Sequence, residues 1–245
     1  KLFHCVLSLN SYFYFNIPYR YKPKVNHTIR YNRSMVKIIY TTLLLTVTLF
    51  SAFESEISKI TPQIKERMIK GNTWKKGCPV PLENLRYLRI KYMDFNVKDQ
   101  MGEMIVHKEV SEEVTKIFKA LYDANYPIYK MRLVSDYKGS DWQSIEADNT
   151  SAFNCRKATG SKKFSKHSYG KAIDINPIEN PYIFRSGKSS HKASKAYIKR
   201  KRTTQSPEQR AMLLADDKAV KIFKKYGWKW GGDWSSVKDY QHFSK

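Results

Sequence analysis

The sequence predicts one mixed α+β domain over about residues 71–245. Three observations carry this. Val110, Val114, Ile117, Phe118, Leu121 and Tyr122 recur at helical spacing. Residues 172–176 (AIDIN) alternate at the period of a half-buried strand. Gly and Pro punctuate the chain between such segments, and no internal repeat is visible. An apolar share of 41% over 245 residues suffices for a real core and excludes a disordered chain.

Taken in order, residues 54–70 are polar and read as a linker or short helix, and 71–81 (GNTWKKGCPVP) as a loop. Residues 82–95 carry apolar side chains at mixed spacing and fit helix or strand; 102–107 (GEMIVH) reads as a short strand. Ser111, followed by Glu112 and Glu113, is the expected N-cap of the next helix, which Pro127 ends. A strand is expected over 128–137. A capping-box pattern at Ser206-Pro207-Glu208-Gln209 opens a helix, and another runs from about Asp217 to Tyr226, stopped by Gly227.

The N-terminal part reads differently. Met35 is the first candidate start, and a short basic step at Lys37 precedes the apolar run 38–50 and a polar exit. That is the pattern of a signal peptide, assigned here to 35–53, and the run is short of the ~20 residues that span a bilayer. Residues 1–34 then read as an upstream extension that is not native to the mature protein. They hold six basic residues and no acid, and removing those charges takes the net +23 to +17. Such a balance suits polyanionic partners in general. With an export signal and no recognised nucleic-acid motif, nucleic acid is not expected, nor is a membrane beyond the signal segment. The protein is expected outside the cytoplasm, periplasmic or extracellular.

Export also bears on the cysteines. With Cys5 outside the mature chain, Cys78 and Cys155 can bridge under oxidising conditions; two buried free thiols are the alternative.

Metal-binding residue types concentrate in two patches, 165–182 and 227–243. In the first, the alternation sends Ile173 and Ile175 to the core and Asp174 to the other face. Gly170 lets the chain bend so that His167 turns toward that face. In the second, Asp239 and His242 are three apart, which a helical turn would place side by side. Three N/O ligands with one open position are the arrangement of catalytic zinc.

SKHSYGKAID (165–174) resembles the S-x-H-x-x-G-x-A-x-D signature of the zinc D-alanyl-D-alanine peptidases, and DYQHF (239–243) their D/E-x-x-H ending. NTSAFNCR, IDINPIENPY and the GW-x-WGG-x-W run look like the D-alanyl-D-alanine carboxypeptidase-like branch, from roughly Trp74 onward. The resemblance implies a Hedgehog/DD-peptidase-like α+β fold, a small antiparallel sheet with helices packed on it and a zinc cleft. It implies one zinc per chain, held by His167, Asp174 and His242, with Asp239 as general base. Ser165 matches a substrate-contacting serine; Tyr169 and Trp230 are further candidate contacts. The family also uses an upstream arginine, for which Arg156 is the candidate and Arg132 the second choice. Trp228 and Trp234 join Trp230 as possible cleft-lining residues, with core packing as the alternative.

The implied activity is hydrolysis of D-alanine-containing peptidoglycan stem peptides. The alternatives are a murein endopeptidase of the L-Ala-D-Glu type and a non-catalytic zinc-containing wall-binding module. Against the last, a structural site needs no base beside it. His107 and His191 fit no motif and read as structural or solvated. The basic stretch 185–202 reads as a solvated loop, or else as a positive rim for anionic wall polymers.

Overall fold

Strand β2 (Leu85–Met93) is the centre of a three-stranded antiparallel sheet, flanked by β1 (Ser55–Lys59) and β3 (Asp99–His107). The computed structural model describes residues 52–245, and Ala52–Lys245 forms one compact unit. The expected extension 1–34 and the expected signal segment 35–53, apart from Ala52 and Phe53, lie outside the described residues. The Ala52 carbonyl accepts a hydrogen bond from Lys91, and the Phe53 ring meets Tyr122.

This sheet is covered on both faces. Leu88, Ile90, Tyr92, Met104 and Val106 bury against helix α2 (Ser111–Asp123), through its Val114, Ile117, Phe118 and Leu121. Leu85, Tyr87 and Ile105 point the other way, to a second cluster with Met68, Val80, Leu133 and Phe153. Double coverage explains the mixed apolar spacing of 82–95: a strand buried on both sides loses its clean alternation.

The stretch 54–70 holds a strand as well as a helix, and both pack on the domain. β1 pairs with β2 over five residues, Ser55 opposite Ile90. Helix α1 (Pro62–Lys70) starts on a Thr61 cap that accepts from the Ile64 amide, with Pro62 in the first turn. Arg67 on α1 donates to both Glu103 and Asp136, which ties the helix to β3 and to the 134–137 turn.

Two local expectations are corrected. Ser111 is the first helical residue, not the cap; Val110 takes that place, and the Ser111 hydroxyl donates to the Lys108 carbonyl. The strand expected over 128–137 shrinks to β4 (Lys130–Met131), and Val134–Tyr137 is a 3-10 turn ended by Lys138 in the left-handed region. Leu133 and Val134 are both buried, which a strand with one covered face cannot do for neighbours. The turn brings the Ser135 hydroxyl within 2.7 Å of that of Thr73.

Cys78 and Cys155 form a disulfide, with Cα atoms 5.9 Å apart, joining the 71–81 loop to the segment that carries Arg156.

The C-terminal half builds small sheets. β6 (Ala172–Asp174), β10 (His242–Ser244) and β8 (Lys229–Trp230) form one, in the order β6-β10-β8. β4 pairs in parallel with β5 (Asn149–Thr150), and β7 (Tyr182–Ile183) antiparallel with β9 (Lys238–Asp239). Helices α3 (Asp141–Glu146), α4 (Pro207–Ala211) and α5 (Lys218–Lys225) complete the described elements longer than a 3-10 turn. Ser206 caps α4 through the Gln209 amide. No helix among the described residues is long and apolar enough to cross a membrane.

The basic stretch 185–202 is not simply a solvated loop. Arg200 turns inward to the Glu179 and Leu213 carbonyls and the Asn180 side chain, and Arg202 grips Asp217 and the Gln209 carbonyl. Charge-assisted bonds of this kind hold a loop with little apolar surface of its own.

Candidate metal centre and cleft

His167 sits in a 3-10 turn (Lys166–Tyr169) that opens with the Ser165 hydroxyl accepting the His167 amide. Gly170 closes the turn at φ 65°, and its carbonyl accepts the His107 amide of β3 at 2.8 Å. A Cβ at Gly170 would lie 2.5 Å from that amide nitrogen, so only glycine permits both the bend and the contact. Asp174 ends β6, and His242 begins β10 directly opposite it in the ladder. Asp239 arrives from β9, and Tyr240-Gln241 form the turn into β10. The expected helical turn is therefore absent: Asp239 and His242 converge because the chain changes sheets between them.

The ligand atoms of His167, Asp174 and His242 lie within 4.8 Å of one another, and all three residues are buried. His167 Nε2 is 3.2 Å from His242 Nδ1 and 3.1 Å from Asp174 Oδ2, and His242 Nδ1 is 3.0 Å from Asp174 Oδ1. His167 Nδ1 lies 2.5 Å from the Ala152 carbonyl, which can only accept. That nitrogen therefore carries the proton, and in the neutral ring Nε2 presents a lone pair to a carboxylate oxygen. Two acceptors face each other there, a conflict that a cation or proton resolves. The donor spacing is close to the roughly 3.3 Å edge of a tetrahedron with zinc–ligand bonds of about 2.0–2.1 Å. A carbonyl orienting the far nitrogen of a ligating imidazole is the usual support of a metal site. The residues fit one divalent zinc-like ion.

The electrostatics agree. Burial would raise the Asp174 carboxyl, but the charges and hydrogen bonds of His167 and His242 outweigh it and hold it well below the usual range. Burial would lower His242, but its hydrogen bond and attraction to Asp174 raise it on balance. Asp239 is pushed up to about 6, chiefly by burial, with Asp174 adding to the rise and His242 opposing it. Its Oδ1 is buried without a hydrogen-bond partner, the arrangement of an acid placed for something outside the chain. Gly231 makes room for it: a Cβ there would sit 2.4 Å from the Asp239 carbonyl oxygen.

These groups open onto a cleft of about 760 Å³. Ser165 and Arg156 line it, as does Trp234, whose ring centroid is 5.5 Å from that of His242. Arg156 is gripped by Asp141 of α3 through Nε at 3.1 Å and Nη2 at 2.8 Å. Two candidate contacts fall elsewhere. Tyr169 is 39% exposed and outside the cleft lining. Trp230 is 3% exposed in the core, its indole donating to the Tyr240 carbonyl, and Trp228 is likewise buried, donating to Glu113. Arg132 is also outside the lining, 3.8 Å from Glu103. His107 accepts the Glu109 amide as the cap of a 3-10 turn. His191, by contrast, is in the cleft wall, its Nδ1 2.6 Å from Glu146 and its ring 4.0 Å from that of Trp142. No spacing in the sequence marked His191, Trp142 or Asp141, because their partners come from segments 15–49 residues away.

Outside the cleft lining there is a second buried acid pair, Asp148 and Glu179. Burial first, then the neighbouring carboxyl, pushes Glu179 up to about 10; burial lifts Asp148 to about 6. Asp148 Oδ1 accepts the Ile178 amide, whereas Glu179 Oε2 has no partner.

The arrangement can hold a single divalent cation, and Asp239 and Arg156 line the same open cleft. Residues 159–245 match the family model described as D-alanyl-D-alanine carboxypeptidase. This match supports a peptidase of the zinc D-alanyl-D-alanine carboxypeptidase-like family, the one that the two motifs resemble. No curated protein and no solved structure matches the chain.

Proposed function

We propose that the protein is an exported zinc peptidase that hydrolyses D-alanine-containing stem peptides of peptidoglycan, built on a Hedgehog/DD-peptidase-like fold. The observation that carries this reading is the convergence of His167, Asp174 and His242, with Asp239 in the same cleft and its Oδ1 buried without a hydrogen-bond partner. His167 through Nε2, Asp174 through its carboxylate and His242 through Nδ1 would hold the ion. When bound, zinc supplies Lewis acidity toward the scissile carbonyl and the attacking water. Asp239 accepts the proton of that water and returns it to the leaving amine. Arg156, held by Asp141, turns its remaining N–H groups to the oxyanion or to the substrate carboxylate. The Trp234 ring lies beside His242, 5.5 Å between centroids, and adds an apolar edge to the cleft.

A second reading keeps the chemistry and moves the bond. The family's base is glutamate in several members and aspartate in the endopeptidase-like ones, so Asp239 favours a cut within the stem, of the L-Ala-D-Glu type. Digestion of purified peptidoglycan with the zinc-loaded protein, followed by mass spectrometry, decides. Released D-alanine supports the carboxypeptidase, and shortened stems lacking their first bond support the endopeptidase. No fragments at all would overturn both.

A further inference from the structure

Most of one wall of the cleft is not used by the chemistry above, which draws only on its Asp141. Helix α3 supplies it: Asp141 holds Arg156, Trp142 and Ile145 line the cleft, and Glu146 fixes His191. Trp142 is 54% exposed, an unusual state for so large an apolar ring, and one side of it is backed by the His191 imidazole. His191 is only 5% exposed, and its contact with Glu146 occupies Nδ1 and leaves Nε2 as its remaining hydrogen-bonding atom. Ser189, Ser190 and Ser194 line the cleft beside it; Ser194 is fully buried, and its hydroxyl has no partner among the described residues.

We propose that this wall, Trp142 with His191 and Ser194, is a subsite for a sugar ring of the glycan to which the stem peptide is attached. The inference rests on the peptidase reading for its choice of substrate. A sugar ring has a face of C–H groups that packs on an indole and a rim of hydroxyls that need polar partners. An apolar peptide side chain would meet the indole equally well, but it would leave the imidazole and the serine hydroxyl unpaired, which costs binding. Trp142 and the His167–Asp174–His242 cluster line the same cleft, so one substrate can reach both.

The test uses the whole protein and a probe with no peptide bond to cut, a short oligomer of N-acetylglucosamine. Titration followed by calorimetry should show saturable binding that Trp142→Ala weakens by about tenfold and Trp142→Phe restores in part. No binding by the wild type, or equal binding by Trp142→Ala, would overturn the subsite. Kinetics then separate the two ideas: Trp142→Ala should raise KM for a sugar-linked stem peptide several-fold more than for the same peptide free. Equal rises would assign the wall to peptide, against the proposal. If neither peptide is cut, the peptidase reading falls, and the saccharide titration alone still decides the subsite.

Discussion

Asp174 and His242 are register partners on neighbouring antiparallel strands, so the backbone ladder itself sets the separation of two of the three donors. The third, His167, is aimed by a carbonyl acceptor outside either strand. A site fixed in this way should bind metal as a unit. His167→Ala or His242→Ala should each lose most bound zinc and all measurable turnover, as read by elemental analysis and assay. Full zinc occupancy in both variants would refute the ligand set.

Asp239 is not one of the three donors, although it lines the same cleft. Asp239→Asn should keep its zinc while turnover falls by roughly 10²–10⁴. An active variant would mean that another acid takes the proton.

Arg156 depends on Asp141 for its orientation. Arg156→Ala should lower kcat/KM by about 10²–10³, and Asp141→Ala by less, mainly through KM. Arg156→Lys should rescue little, because an ammonium cannot be held by the same two-point grip. Steady-state kinetics on one defined peptide ranks the three.

The disulfide closes 77 positions of chain. Cys155→Ser, or reduction of the wild type, should lower unfolding free energy by about 2–4 kcal/mol, measured by denaturant titration.

The Asp148–Glu179 pair gives a pH dependence independent of the metal. Glu179 is raised from 4.5 to about 10, so the folded state holds a proton that the unfolded chain releases. Stability contributed by that proton is complete below about pH 4.5 and is lost as pH rises through about 10. Urea unfolding should therefore show a loss of at least ~1 kcal/mol between about pH 5 and pH 9, and Glu179→Gln should flatten it. An equally steep profile in that variant would place the titration elsewhere.

What could be seen in the sequence follows from how local each feature is. The convergence of His167, Asp174 and His242 was legible because two short motifs carry them, and α2 because its buried stripe is a single helical face. β1 was not, since SEISK has no pattern of its own and becomes a strand only against the edge of β2. Trp230 was misplaced because its neighbours in sequence are glycines and charges, whereas its neighbours in space are Tyr240 and Phe243. Asp239 and His242 were brought together for the wrong reason, since a change of sheet leaves no periodicity to read.

The tie between Gly170 and His107, together with the Ala152 carbonyl under His167, sets a limit on what the C-terminal part can do by itself. Every donor lies within residues 159–245, yet the atoms that choose the imidazole tautomer and anchor its turn come from earlier in the chain. A graft of that stretch onto another scaffold would inherit the ligands without their aim. Engineering or inheritance of this centre must therefore carry β3 and the 151–152 segment along with the motifs.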